Sequence, residues 1–174
     1  MEKPNRLNRS IQKLERYPKS WHTRLLSWSI GRVVPFVGTA GIRFDKMTKE
    51  EVVLTLKNRK KVQNHIKQMH AAATALLAET ASGMMVGMHL PDDKLPLMKN
   101  MKIDYVKRSQ GNMKAIATLT NEQVAQIMRE EKGEVMVAVT ITDEVGVEPV
   151  VCEMLWAWIP KQRKNKEAVA AVSN

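Results

Sequence analysis

Residues 64–88 read NHIKQMHAAATALLAETASGMMVGM, and this stretch decides the fold. From His70 onward it is rich in Ala and other apolar residues, and it contains no proline and no run of β-branched side chains. That composition favours a helix, which makes about five turns over residues 70–88. Because apolar residues occupy every face of the helix, we expect it to be buried on all sides.

One acidic residue, Glu79, interrupts the apolar helix. An ionised carboxylate is rarely buried without a partner, because leaving water costs it several kcal/mol or raises its pKa. Glu79 is therefore a candidate for a functional site. The alternative is a structural role, in which its carboxylate pairs with a Lys or Arg across an interface between two subunits.

The composition of the chain indicates one domain with a sizeable core, since 44% of its 174 residues are hydrophobic. A single cysteine, Cys152, excludes an intramolecular disulfide framework and suits a reducing compartment. The most apolar window near the start, residues 25–44, is interrupted by Arg, Pro and Gly and is a poor transmembrane candidate. With no secretory signal expected, we predict a soluble cytoplasmic protein.

The net charge of +10 comes largely from the two ends of the chain. Such charge attracts nucleic acid, an anionic membrane surface or a phosphorylated ligand, unless the basic ends are simply solvated. We do not expect specific nucleic-acid recognition, because the chain has no zinc-ligand spacing, no basic region with heptads and only 5% aromatic residues. We expect no metal site either, because His65 and His70 are five residues apart and no acid or Cys pair completes a ligand set.

Two helices are predicted in the N-terminal part, over residues 6–17 and from Ser20 to a stop at Pro35. We expect Trp21 and Trp28 to anchor the second helix on the body of the protein. The same two side chains, with the Arg residues near them, would also suit an interfacial membrane helix. Short strands then follow at residues 41–45 and 51–56.

After the central helix, residues 91–96 indicate a turn, and two strands at 101–108 and 113–119 are predicted to form a hairpin through residues 109–112. Thr120 caps a short helix that is expected to end before Gly133. Strands at 135–141 and 150–159 complete a meander-like set of hairpins around the helix. The predicted class is α+β, with a helical extension at residues 1–40, a main domain at 41–160 and a basic, disordered tail at 161–174.

The order of Asn64, His70, Ala71 and Glu79 resembles the hotdog-fold acyl-CoA thioesterases, in particular their PaaI-like branch and its uncharacterised thioesterase-like relatives. The resemblance covers residues 40–160 and implies a hotdog fold, in which an antiparallel sheet wraps around the long helix. In that family a loop Asn or Gln precedes the helix, a backbone N–H at the helix start faces the thioester oxygen, and an acid follows eight residues later. Asn64, Ala71 and Glu79 keep these spacings.

The resemblance implies a hydrolase that acts on acyl-CoA, with coenzyme A as part of the substrate and no separate cofactor. Glu79 is then the general base or the nucleophile, the amides of His70, Ala71 and Ala72 are oxyanion donors, and Asn64 orients water or holds the carboxylate. In the family, the acid and the loop residue at one site come from different subunits. A homodimer is therefore implied, and a tetramer stays open.

Some positions depart from the family pattern or extend it. Ala71 and Ala72 replace the usual Gly pair, and Lys67 stands where members often have Gly, so that it either contacts an anionic group or blocks the site. Some members of the family supply a hydroxyl or another polar side chain to the site from the strand after the helix. That residue has no clear counterpart in this chain between Leu97 and Asp104. The candidates for binding the coenzyme A phosphates are Lys99, Lys102, Lys107 and Arg108.

Two alternatives to the thioesterase hypothesis follow from these departures. A non-catalytic hotdog protein would bind an acyl-CoA, a fatty acid or a protein partner, and this alternative is favoured by the methyl groups of Ala71 and Ala72 and by Lys67. His70 also keeps open a dehydratase, since such members use a His near the helix start as the base. Peripheral membrane contact through the basic N-terminal helices is compatible with each of these functions.

Overall fold

A six-stranded antiparallel sheet wraps around one long helix in the computed structural model, which describes residues 4–14 and 16–161. The helices are α1 (Arg6–Leu14), α2 (Lys19–Val33), α3 (Pro35–Ala40), α4 (Ala71–His89) and α5 (Asn121–Arg129). The strands are β1 (Arg43–Met47), β2 (Val52–Leu56), β3 (Lys94–Tyr105), β4 (Met113–Thr118), β5 (Gly133–Asp143) and β6 (Val150–Pro160). The predicted α+β class is confirmed, whereas the expected tail lies outside the described residues apart from Lys161.

The central helix α4 supplies the core, with Leu77, Ala81 and Met85 fully buried beneath the sheet. Among the described residues, only α4 is long and apolar enough to span a membrane, yet 56% of its most apolar window is buried inside the fold. The expectation of burial on every side is wrong for one stripe of the helix, where Ala75 and Glu79 are only half-buried. Composition alone cannot show that a stripe is left uncovered.

The strands follow the order β1-β2-β4-β5-β6-β3. The predicted hairpin between residues 101–108 and 113–119 is therefore wrong, because β3 pairs with β6 and lies at the far edge of the sheet. The loop after β3 does not close a hairpin because it bonds to the end of β5. There the Gln110 N–H donates to the Asp143 carboxylate at 2.9 Å, and the Asn112 N–H donates to Glu144 at 3.0 Å.

Strand β3 begins at Lys94, so the turn predicted for residues 91–96 is too long and the strand predicted at 101–108 begins too late. A proline within a strand is tolerated at a sheet edge, and Pro96 lies on this edge strand opposite Trp158. Lys94 is buried and its ammonium donates to three carbonyl oxygens at the end of α5, those of Ile127, Met128 and Glu130, at 2.9, 3.2 and 2.7 Å. These bonds join the start of β3 to α5.

The N-terminal helices pack on the sheet and on the end of α4. The Asn8 amide donates to the Met88 carbonyl at 2.8 Å, so α1 satisfies a carbonyl at the C-terminal end of the central helix. On α2, the Ser27 hydroxyl accepts the Phe44 N–H of β1 at 2.9 Å. Pro35 does more than the predicted stop of the second helix, because it also begins α3 at the first helical position, where its missing N–H costs nothing.

The predicted anchoring of α2 by two tryptophans is wrong. Trp21 and Trp28 are 59% and 61% exposed, while the buried face of the helix carries Leu26 and Ile30. The spacing of apolar residues along α2 allowed either face to point inward. The packing of α2 against β1 selects the aliphatic face and leaves the tryptophans on the surface.

Candidate active site

The start of α4 leaves one backbone donor free. His70 is the N-cap residue, and its Nδ1 accepts the Ala72 N–H at 3.0 Å. The N–H of His70 itself donates to the Val62 carbonyl at 2.8 Å. Of the three amides that the sequence suggested as oxyanion donors, only that of Ala71 has no acceptor in the described part of the chain.

The loop before the helix is organised by Asn64. Its Oδ1 accepts the N–H groups of Ile66 and Gln68 at 3.0 and 3.1 Å, which fixes the side-chain amide with its NH₂ group pointing the other way. That NH₂ group donates to no acceptor among residues 4–14 and 16–161. Asn64 can therefore donate a hydrogen bond to a ligand, but its oxygen is already committed to the loop.

Lys67 occupies the turn of this loop at a φ of 62°, in the left-handed region that favours glycine. Its backbone N–H donates to the Asn64 carbonyl at 3.0 Å, and its side chain is exposed. The structure thus gives a local reason for glycine at this position. Lys67 does not line the cavity described next.

Asn64 and Ala71 line the same cavity, which has a volume of about 180 Å³. The cavity combines an apolar wall, several polar side chains and two cations. Its further lining residues are Gln68, Met69, Thr74, Tyr105, Lys107, Arg108, Ser109, Met113, Pro149 and Val150. A group with an oxygen acceptor, an apolar portion and a nearby negative charge fits this combination.

Tyr105, at the end of β3, is the site residue that the sequence analysis missed. Its hydroxyl donates to the Ala71 carbonyl at 2.7 Å, so it ties the end of the edge strand to the start of α4. Burial raises the pKa of this tyrosine, which keeps the hydroxyl protonated as a donor. Tyr105 lies one position beyond the segment Leu97 to Asp104 considered for a polar strand residue, and it continues the alternation of Met101 and Ile103.

Glu79 lies apart from this cavity in the same chain. It stands eight residues after Ala71, which corresponds to about 12 Å along the helix axis. Burial raises the pKa of its carboxyl, and the Thr80 hydroxyl donates a weak hydrogen bond to it at 3.4 Å. Among the described residues, no Lys or Arg forms an ion pair with Glu79.

The structure divides the four predicted phosphate-binding cations into two pairs. Lys107 and Arg108 line the cavity. Lys99 instead pairs with Glu134, and Lys102 pairs with Asp104 and Glu153, outside the cavity. Throughout the described ranges, no three His, Cys, Asp or Glu side chains lie close enough together to hold a metal ion.

Comparison with known families gives one match, to the family described as "Domain of unknown function (DUF4442)", over residues 22–159. Comparison with curated proteins gives no match. A Pseudomonas aeruginosa protein of unknown function, described as a probable thioesterase, has a solved structure that is 24% identical with a TM-score of 0.72. The alignment covers 80% of this chain and 96% of that one.

Two further structures are similar. A thioesterase from Haemophilus influenzae is 14% identical with a TM-score of 0.65, over 80% of this chain and 94% of its own. A thioesterase enzyme from Staphylococcus aureus is 18% identical with a TM-score of 0.63, over 72% of this chain and 99% of its own. These likenesses confirm the hotdog fold.

The Staphylococcus aureus protein has been crystallised with two different substitutions. One structure carries alanine in place of a glutamine, and another carries alanine in place of a glutamate. The two substituted positions lie fifteen residues apart in that chain.

Proposed function

Since the chain belongs to the family described as a domain of unknown function, DUF4442, and shares its fold with thioesterases, we propose that it is a dimeric acyl-CoA thioesterase. One observation carries the proposal: Asn64 and Ala71 line a single cavity at the positive end of α4, and the Asn64 NH₂ group and the Ala71 N–H donate to no acceptor among the described residues. That arrangement suits an oxygen that gains negative charge during a reaction.

Hydrolysis of a thioester places negative charge on the carbonyl oxygen as water adds to the carbon. The Ala71 N–H and the Asn64 amide are the donors for that oxygen, and both act without reorganising the helix start. Removing one such donor typically costs about a hundredfold in rate. Tyr105 holds Ala71 at the start of α4 through its hydrogen bond to the Ala71 carbonyl, which lies next to the peptide that carries the N–H.

Glu79 is proposed as the general base or the nucleophile. Asn64 and Glu79 lie fifteen residues apart, as do the glutamine and glutamate that were replaced in the Staphylococcus aureus thioesterase. Burial raises the pKa of the Glu79 carboxyl toward neutral pH, which suits a group that takes a proton from water. Because Glu79 lies about 12 Å along α4 from its own Ala71, a second copy of the chain must bring the two groups together.

The edge strand β3 is the proposed dimer contact. It is twelve residues long and its outer edge pairs with no other strand among the described residues, whereas β1 at the other edge is short, irregular in register and packed against α2. Met101 and Tyr105 pair with the buried Met154 and Val150, yet they remain exposed on that inner face. Pairing of two β3 strands would cover these side chains and the half-buried stripe of α4 that carries Glu79.

Lys107 and Arg108 are proposed to bind the phosphates of coenzyme A at the edge of the cavity. The two cations follow β3 directly, so the same segment brings both the tyrosine and the positive charge to the site. Lys99 and Lys102 are not part of this proposal, because acidic neighbours already pair with them.

The test is thiol release from short, aromatic and long acyl-CoAs by the wild type and by Glu79→Gln. We expect turnover on at least one substrate, with kcat reduced about a hundredfold or more in the variant. Glu122→Gln, an exposed change on α5, is the matched control and should leave kcat unchanged. Burial raises the pKa of the Cys152 thiol to about 11, and a blank without substrate accounts for any reaction of this residue with the thiol reagent.

Two other outcomes would contradict the thioesterase proposal. If no substrate is hydrolysed but acyl-CoA raises the melting temperature, the chain is a non-catalytic acyl-CoA-binding protein. That alternative is favoured by the methyl groups of Ala71 and Ala72, both exposed at the helix start where the thioester would approach. If neither turnover nor binding occurs, Glu79 has a structural role.

A further inference from the structure

Helix α2 has two contrasting faces. Leu26 and Ile30 are buried against the body of the protein. The opposite side carries Trp21, Arg24, Trp28 and Arg32, whose spacings of three and four residues place them on one face. We call these four residues the aromatic–basic face.

The aromatic side chains of this face are unusually open to water. Trp21 and Trp28 are 59% and 61% exposed, whereas the other two tryptophans, Trp156 and Trp158, are buried in the core. Large aromatic side chains left in water mark a surface that contacts something apolar.

The charge around the face is mostly positive. Residues 4–40 contain seven Lys or Arg and a single acid. On the face itself, the Arg32 guanidinium lies over the Trp28 ring at 5.0 Å from its centroid, so cation and aromatic ring lie at the same level of the surface. This pairing of exposed indole rings with cations is complementary to a surface that is both apolar and anionic.

We propose that the aromatic–basic face docks the protein on an anionic phospholipid bilayer. Tryptophan rings are favoured at the boundary between headgroups and acyl chains, and each arginine near an anionic leaflet gains attraction to it. A second copy of this chain is a poorer occupant, because pairing two identical faces would bring the like charges of Arg24 and Arg32 together. The inference goes beyond the proposed function and does not depend on it.

The position of α2 leaves the face free in the proposed dimer. The helix packs on β1, at the edge of the sheet opposite the β3 strand proposed for pairing. The Ser27 hydroxyl bonds to the β1 backbone and holds α2 in place, so docking requires no unfolding of the helix.

The experiment is flotation of the full chain with vesicles of phosphatidylcholine alone or with phosphatidylglycerol added. We expect binding to the anionic vesicles only, together with a blue shift of tryptophan fluorescence and quenching by brominated lipid. Trp21→Ala with Trp28→Ala should weaken binding at least tenfold, because the inserted rings are lost. Arg24→Gln with Arg32→Gln should weaken binding about 20-fold, and added salt should weaken wild-type binding similarly.

Two matched controls test whether vesicle binding depends on this face rather than on exposed apolar groups or positive charge anywhere on the protein. Val145→Ala with Met136→Ala removes exposed apolar groups elsewhere, and Lys114→Gln with Lys132→Gln removes two exposed cations elsewhere. Both controls should bind as the wild type does, and all variants should keep its melting temperature. Binding that is absent, equal in all variants, or replaced by lipid-independent self-association in light scattering would overturn the proposal.

Discussion

The N–H donor of Ala71 can be removed by a substitution that does not disturb α4. Ala71 is the first helical residue, where proline is tolerated because the N–H has no intrahelical partner. The preceding His70 has a ψ of 140°, the extended conformation that a following proline requires. Ala71→Pro should therefore lower kcat/KM for acyl-CoA about a hundredfold while the melting temperature stays nearly unchanged.

The control for this change is Ala71→Gly, which keeps the N–H and should keep most of the activity. Steady-state kinetics and thermal unfolding of both variants separate the loss of the donor from a loss of fold. Full turnover by the proline variant would mean that the oxyanion is stabilised elsewhere.

The pH dependence of the melting temperature should report the burial of the Glu79 carboxyl. Burial raises the pKa of this carboxyl above its unfolded value, so the stability it contributes is present at low pH and is lost as pH rises through the folded pKa. Glu79→Gln should then raise the melting temperature at pH 7, and the gain should vanish below about pH 4, where the carboxyl is neutral in both states.

Thermal unfolding between pH 4 and pH 8 checks this prediction. Glu122→Gln is the comparison, and its effect on the melting temperature at pH 7 should have the opposite sign. Hydrogen bonds from the backbone and from Thr120 lower the pKa of Glu122, so its carboxylate stabilises the fold at neutral pH. A lower melting temperature for Glu79→Gln at pH 7 would instead support an ion pair of Glu79 across the subunit interface.

At the scale of elements, the sequence predicts what local chemistry controls. The central helix, its start at His70 and the Thr120 cap with Gln123 all follow from composition and capping residues, and the structure agrees with them to within a residue or two. Likewise, the 64–71–79 spacing singled out two of the groups that line the cavity. These features depend on neighbours within a few residues.

The elements that the sequence mispredicted depend on distant partners. Whether Pro96 ends a strand depends on its lying at a sheet edge, and whether Lys94 is exposed depends on α5, more than thirty residues away. The exposure of the two tryptophans of α2 also depends on a distant partner, since the packing of α2 on β1 decides which face of the helix is buried. Similarly, Lys99 and Lys102 resemble ligand contacts until strand pairing places acids beside them.

At the scale of the whole molecule, the proposed site is complete only when two chains meet. Ala71→Pro and Glu79→Gln would each inactivate the protein alone, but a mixed dimer would contain one site with an intact amide and an intact carboxylate. After subunit exchange of the two variants in equal amounts, activity should return to about a quarter of the wild-type value, because half of the dimers are mixed and each has one intact site.

The control is an exchange of Glu79→Gln with the double variant Ala71→Pro/Glu79→Gln, in which no dimer has an intact site and no activity should return. Pull-down of one tagged variant by the other confirms that exchange has occurred. If exchange is complete and activity stays at the level of the separate variants, Glu79 and Ala71 do not share a site across the interface. The exposed inner face of β3 would then have to be explained by a contact other than the catalytic dimer.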